Sequence, residues 1–187
     1  CEVINEDGRM ARLKDLQKFS KKHKIKIASI EDLIAYRLRN EKLIFKVSNK
    51  LINYRRNIKY EYLTYENKLD ESENFAIKKG KFNLNRSVRV RVISTKLKKS
   101  KNIFNDLNVK HSLRYLSKFS NFLLIIINKK KIDKTEKENI ILRYYGIGAQ
   151  IIKELRIKNM ILVTRSRKKI IGLEGFGLKI KKQEIIR

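Results

Sequence analysis

Phe122-Leu123-Leu124-Ile125-Ile126-Ile127 is the longest apolar run in the chain, too short to span a membrane and of the right length for a strand buried on both faces. Its neighbours decide what kind of sheet that strand enters. Upstream, His111 to Phe119 reads as a helix with Leu113 and Leu116 inward; downstream, Thr135 to Tyr144 reads as another. Further out, Val88-Arg89-Val90-Arg91-Val92-Ile93 alternates as a half-buried strand with its arginines outward and solvated. Met160 to Val163 gives one more strand. Helix and strand therefore alternate, which is the pattern of an α/β domain with a mixed sheet around residues 87–93, 122–128 and 160–164.

The flanks are less regular. Leu13, Leu16 and Phe19 fall at helical spacing between Arg12 and Lys22, and Ile25 and Ile27 suit a short strand. Ser29, with Asp32 three residues on, is a serviceable cap for a helix ending near Arg39. From Glu41 to Asp70 the texture turns β-branched and aromatic. This places a boundary near residues 40–55, with units 1–42 and 58–187 joined by a connector at 43–57.

Glycine is scarce and clustered. Five of the seven lie between positions 146 and 177. Gly146-Ile147-Gly148-Ala149-Gln150 reads as the opening of a further short helix, and Gly172, Gly175 and Gly177 as the punctuation of a closing hairpin. Without a third glycine, Gly146-x-Gly148 is a weak nucleotide signal, and a capping role is the better reading.

Composition removes several classes. The 187 residues carry 47 Lys+Arg against 19 Asp+Glu, a formal charge of +28, with one cysteine and neither Pro nor Trp. An apolar fraction of 42% is too rich for a disordered tail. One cysteine cannot make an internal disulfide or a cysteine-based zinc site, so a reducing, cytoplasmic setting is expected. No membrane-length run or signal peptide is visible. The first residue is Cys1 rather than Met, and the chain is read as a fragment of a longer polypeptide.

The charge alone would favour polyanions. Against a nucleic-acid partner stand the even spread of the lysines, the excess of Ile and Asn expected from A- and T-rich codons, and the lack of any finger, RNA-binding or basic-helix signature. Lys96-Leu97-Lys98-Lys99-Ser100-Lys101 and Lys129-Lys130-Lys131 read as solvated loops.

Both ends of the chain carry a family resemblance. Cys1-Glu2-Val3-Ile4-Asn5-Glu6-Asp7-Gly8-Arg9-Met10-Ala11-Arg12, continued by Ile27-Ala28-Ser29-Ile30-Glu31-Asp32-Leu33-Ile34-Ala35-Tyr36-Arg37, resembles the end of 3,4-dihydroxy-2-butanone 4-phosphate synthase. Tyr145-Gly146-Ile147-Gly148-Ala149-Gln150-Ile151-Ile152, Ile161-Leu162-Val163-Thr164 and Lys169-Ile170-Ile171-Gly172-Leu173-Glu174-Gly175-Phe176-Gly177-Leu178 resemble the end of GTP cyclohydrolase II. Bacterial bifunctional enzymes of riboflavin biosynthesis carry these modules fused in this order.

The first resemblance implies that Glu2 is catalytic and contacts substrate, which in that family is ribulose 5-phosphate. It also implies Mg²⁺ or Mn²⁺, held by an acidic loop and a histidine that lie outside this chain. Cys1, Asn5, Asp7, Gly8 and Arg9 keep the plain reading of a turn before a helix. The second resemblance implies nucleotide contacts at Thr164 and Lys169, for which a capping hydroxyl and a solvated lysine are the simpler roles.

The cyclohydrolase pattern is otherwise broken. The family's Arg-Val-His-Ser-Glu strand, followed by the first zinc cysteine, here reads Arg91-Val92-Ile93-Ser94-Thr95-Lys96, and its Cys-x-Cys stretch falls near Ile103-Phe104-Asn105. A lysine ammonium has no free lone pair, which argues against zinc. The family's Glu-Gly-Arg triplet is absent around Ser120-Asn121-Phe122, and the segment for its aspartate and arginine shrinks to residues 128–138.

The expectation is a synthase whose cyclohydrolase-like module has lost ring-opening activity. The alternative is a module that binds GTP or another nucleotide, or supports a homodimer, without turnover; a residual cyclohydrolase and a nonspecific polyanion binder rank below these.

Overall fold

The computed structural model describes residues 3–28, 32–33, 36–37, 40–54, 58–68, 71–83, 86–96, 102–128, 137–167 and 176–186, with the side chains of 137–145 left aside. The chain divides into two compact units, Cys1–Ile34 and Ala35–Arg187.

In the first unit, Ile4 and Met10 bridge across a tight turn in which the Gly8 amide donates to the Asn5 carbonyl and the Asn5 amide to that of Arg9. Asp15 then fixes the start of α1 (Leu13–His23) by accepting from the Arg12 amide at 3.0 Å and the Asn5 side chain at 3.3 Å. Those bonds hold the Asp15 carboxyl below its ordinary pKa. The expected strand at Ile25 and Ile27 is absent. Lys24 turns left-handed, and the Ile25 amide is spent on the Ser20 carbonyl, closing the helix instead of opening a ladder. The α1 helix buries none of its residues, and Ile4, Met10, Leu13, Phe19, Ile25 and Ile27 are all exposed. Of the second expected helix, residues 32–33, 36–37 and 40 are helical.

The second unit is built on a seven-stranded mixed sheet. In chain order its strands are β1 (Ile44–Tyr54), β2 (Ile58–Asn67), β3 (Ser72–Lys79), β4 (Val88–Thr95), β5 (Phe122–Asn128), β6 (Asn159–Thr164) and β7 (Lys179–Ile185). Their spatial order is β1-β2-β3-β5-β4-β6-β7. The strands β1, β2, β3 and β5 pair antiparallel; β5, β4, β6 and β7 pair parallel. The helix α2 (Leu107–Leu116) connects β4 to β5, and α3 (Lys137–Glu154) connects β5 to β6. The α/β class with a mixed sheet expected from the sequence is the observed fold.

The segment read as a connector at 43–57 holds β1, paired to β2 along its length with a bulge between Lys46 and Ser48. Its entry is fixed by Gln150 of α3, which accepts from the Leu43 amide at 3.0 Å and donates to the Glu41 carbonyl at 2.9 Å. A buried amide side chain that satisfies two backbone groups at once holds the sheet edge to the helix layer.

Residues 122–126 are fully buried because β5 lies inside the sheet with a helix over each face. Phe122, Leu124 and Ile126 join Val109, Leu113 and Leu116 of α2 in one cluster. Ile127 and Val92 face Gly148 of α3. The two helices read separately around Gly146 are one continuous helix. Glycine costs about 1 kcal/mol inside a helix but does not end one when tertiary packing holds it, and a Cβ at Gly148 would sit 3.5 Å from Val92. The closing hairpin is likewise corrected: β7 runs parallel to β6, pairing Met160 with Ile180. The glycines at 172 and 175 lie outside the described residues.

The β4 arginines are not solvated, as the alternation had implied. Arg89 forks onto Glu184 of β7 at 3.0 and 3.1 Å and lies 3.6 Å over the Phe119 ring, while Tyr115 donates to the same carboxylate at 3.1 Å. Burial raises the Glu184 pKa, but the Arg89 and Tyr115 hydrogen bonds outweigh it and leave the carboxyl below its ordinary 4.5. A carboxyl depressed in the folded state stabilises it above the unfolded pKa, and that contribution is lost as pH falls through the folded value. Glu184→Gln is therefore expected to cost about 1–2 kcal/mol at pH 7. In urea melts between pH 7 and 3 the gap between parent and variant should close below pH 4.5; a gap that widens with acidity would refute the assignment.

Candidate functional site

Successive crossovers leave the middle of the parallel sheet in opposite directions, since β4 leads to β5 on one side and β5 returns past β4 to β6 on the other. Such a reversal opens a crevice beyond the carboxyl ends of the strands, where ligands of open α/β sheets bind. A cavity of about 370 Å³ lies there, lined by residues 91–94 of β4, Asn108 of α2, Gly148, Ala149 and Ile152 of α3, and Met160 and residues 162–166 on and just past β6.

Arg91 is the central polar group of this cavity. It is only 4% exposed; its Nε donates to Ser112 Oγ at 2.7 Å and its Nη1 to the Val163 carbonyl at 3.3 Å. Ser112 Oγ in turn donates to the Asn108 carbonyl. Burial, followed by the repulsion of Arg165, lowers the Arg91 pKa from its usual value, and neither of its bonds supplies a negative charge. Arg165 Nη2 donates to Asn108 Oδ1 at 2.8 Å, and Asn108 is held by Asp106, which caps α2 through the amides of Asn108 and Val109. Two guanidinium groups thus meet at one cavity, an arrangement suited to an anion.

Thr164 lines the same cavity, and its hydroxyl is buried with no hydrogen-bond partner among the described residues. The expected capping bond is not present among the described residues. Glu2 and Lys169, the other two residues singled out from sequence, lie outside the described residues, as does Cys1. Sequence reasoning missed Arg91 as a site residue. The available signal was an arginine in the middle of an otherwise apolar strand; what hid it was the period-two alternation, which reads as a solvent-facing side chain.

The stretch where a zinc site would fall has a different character. Lys96 is exposed just past the end of β4, whereas Ile103 is buried in the core. Phe104 packs its ring 5.3 Å from Tyr54 and 6.1 Å from Tyr62. A short 3₁₀ turn over Ile103–Asn105, capped by the Asn102 side chain, plugs the sheet with hydrocarbon. These residues do not fit zinc: an ammonium, an aliphatic group and a phenyl ring supply no lone pair for it. Among the described residues no cluster of three or more His, Cys, Asp or Glu could hold a metal, and no helix is long and apolar enough to cross a membrane.

Two family models match the chain: 3,4-dihydroxy-2-butanone 4-phosphate synthase over residues 1–36 and GTP cyclohydrolase II over residues 127–185. The two matches lie in tandem along the chain. The riboflavin biosynthesis protein RibBA of Aquifex aeolicus (strain VF5) is 32% identical over 210 residues, covering 96% of this chain and 51% of that protein. RibBA of Endomicrobium trichonymphae is 32% identical, covering 98% and 52%. Among solved structures, RibBX, a two-domain 3,4-dihydroxy-2-butanone 4-phosphate synthase from A. baumannii, matches with a TM-score of 0.73 and 26% identity over 100% of this chain and 53% of its own. The chain thus spans about half the length of the relatives it matches. The synthase-like end falls largely in the first unit, and the cyclohydrolase-like stretch runs from the end of β5 through β7.

Proposed function

We propose that the full-length gene product acts in riboflavin biosynthesis, converting ribulose 5-phosphate to 3,4-dihydroxy-2-butanone 4-phosphate and formate, and that its cyclohydrolase-like unit does not open GTP. Residues 1–42 then close the synthase domain in the cytoplasm of the cell, and Glu2 works beside a divalent metal, Mg²⁺ or Mn²⁺, whose ligands lie outside this chain. Such a metal would stabilise the enediolate formed next to the substrate carbonyl; the share of this chain is the acid–base carboxylate of Glu2.

One observation carries the second half of the reading. Where a cyclohydrolase would place thiolates, this unit has Lys96 and the buried plug of Ile103 and Phe104. Opening guanine at C8 needs a metal-activated water, and among the described residues no ligand set is there to hold the metal. The likeness to a two-domain synthase is in keeping with this.

The test is to supply the full-length product with ribulose 5-phosphate and Mg²⁺, and separately with GTP and Zn²⁺. Formate release in the first and no ring-opened pyrimidine in the second is the expected pair. Pyrimidine formation would overturn the reading of the unit, and absence of formate that of the whole protein.

The cavity at Arg91 favours a second reading, in which the unit binds GTP or another nucleotide without turnover and supports the homodimeric synthase. Arg91, Arg165 and Thr164 would meet the phosphates, joined by Lys169. Calorimetric titration with GTP decides it, since no heat at millimolar nucleotide would leave a scaffold role alone.

A further inference from the structure

A second cavity, of about 620 Å³, opens on the α2 side of the sheet and shares no lining residue with the one at Arg91. Its floor is Tyr54 of β1 and Tyr60 of β2; its wall is one stripe of α2 formed by Leu107, Lys110, His111 and Arg114. These wall positions follow the spacing of neighbours on a helix surface; Leu113, which also lines the cavity, belongs with Val109 and Leu116 to the adjoining stripe buried in the core. The volume falls within the roughly 300–1,000 Å³ range of small-molecule sites.

Its lining joins two kinds of chemistry. Tyr54 and Tyr60 pack with ring centroids 5.7 Å apart, and Tyr54 also meets Phe104, so the floor is aromatic. The wall offers the Lys110 ammonium, the Arg114 guanidinium and the His111 ring, and no carboxylate lines the cavity among the described residues. Tyr60 is 1% exposed, and its hydroxyl has no hydrogen-bond partner among the described residues. Burial, and then Tyr54, push that phenol above its ordinary pKa, so at neutral pH it remains a donor awaiting an acceptor.

We propose that this cavity binds an anionic aromatic molecule, its ring against Tyr54 and Tyr60 and its acid group on Lys110 and Arg114. A bare phosphate would leave the aromatic floor uncovered, and an uncharged ring would leave the cations unmatched. The site is independent of the reaction proposed above.

The test is calorimetric titration of the full chain with phenyl phosphate and with benzoate, using inorganic phosphate and phenol as the separate halves, at low and at 300 mM salt (about threefold above the ionic strength at which the Debye length is roughly 10 Å). One of the two aromatic acids should bind at least about tenfold tighter than either half and remain bound at the higher salt; which of them does so distinguishes a phosphate from a carboxylate head group. Arg114→Gln and Lys110→Gln should each weaken it about fivefold to tenfold, and Tyr60→Phe by about as much, with circular dichroism unchanged. Arg114 and Lys110 stand on an open helix face, so those variants remain informative if Tyr60→Phe disturbs the core. Binding of neither acid overturns the proposal, as does equal affinity for inorganic phosphate. Loss of binding on Arg165→Gln with none on Arg114→Gln would place the ligand in the other cavity and overturn it too.

Discussion

Glu2→Gln in the full-length gene product is expected to lower the rate of formate release from ribulose 5-phosphate by about 10²–10⁴-fold, the range supplied by one positioned acid–base group. Gln keeps the size and hydrogen-bonding reach of the side chain but can neither take up nor release the proton. The loss should therefore appear in kcat more than in KM. Stopped assays of formate at saturating substrate measure it, with the melting temperature of the variant as the check on folding. Turnover within twofold of the parent would remove Glu2 from the chemistry while leaving the family relationship of residues 1–36 untouched.

Gly80→Ala should be the most damaging of the small surface substitutions. Gly80 ends β3 at φ +75°, and a Cβ there would fall 2.6 Å from the Ser120 carbonyl oxygen and 3.3 Å from the Asn121 side chain. Backbone cannot give way as a side-chain tip can. The left-handed conformation costs about 1 kcal/mol or more for a residue with a Cβ, and the displaced Ser120–Asn121 turn feeds directly into β5. A loss of about 2–4 kcal/mol is expected. Gly177 is the control: its φ of +71° is nearly the same, but among the described residues nothing lies within 4 Å of its Cβ position, so Gly177→Ala should lose only about 1 kcal/mol. Urea midpoints of the two variants separate the conformational cost from the collision. Equal losses would mean that the close approach to Ser120 is relieved without cost.

The elements legible in the sequence were those whose environment is uniform. Six successive residues of β5 are buried whatever face they present, so the apolar run announced the central strand, and Leu113 and Leu116 announced the inner face of α2. The failures were long-range. Arg91 is buried because Ser112 and the Val163 carbonyl, 21 and 72 residues away, meet its guanidinium. β1 read as a connector because Ile44, Ile52 and Tyr54 are its main inward residues, and its bulge breaks the alternation between them. Gly146 and Gly148 read as a helix boundary, since nothing local reveals that β4 and β5 lie beneath Gly148. The anion cavity was legible only as Thr164; its guanidinium groups come together through topology. The plug at Ile103 and Phe104 was legible as a loss of thiolates but not as a gain of core.

The edge position of β1 has a consequence for how the chain behaves at high concentration. Eleven residues of backbone lie at one end of the sheet, with Phe45, Val47 and Leu51 exposed beside them. Such an edge is a template for another copy, and the Lys46/Ser48 bulge together with Lys50 makes it a poor one: the bulge interrupts the ladder, and two like edges brought together would also bring like ammonium groups together. The surplus of lysine that first suggested a polyanion thus has a colloidal role at this strand, keeping one molecule's sheet from growing into the next.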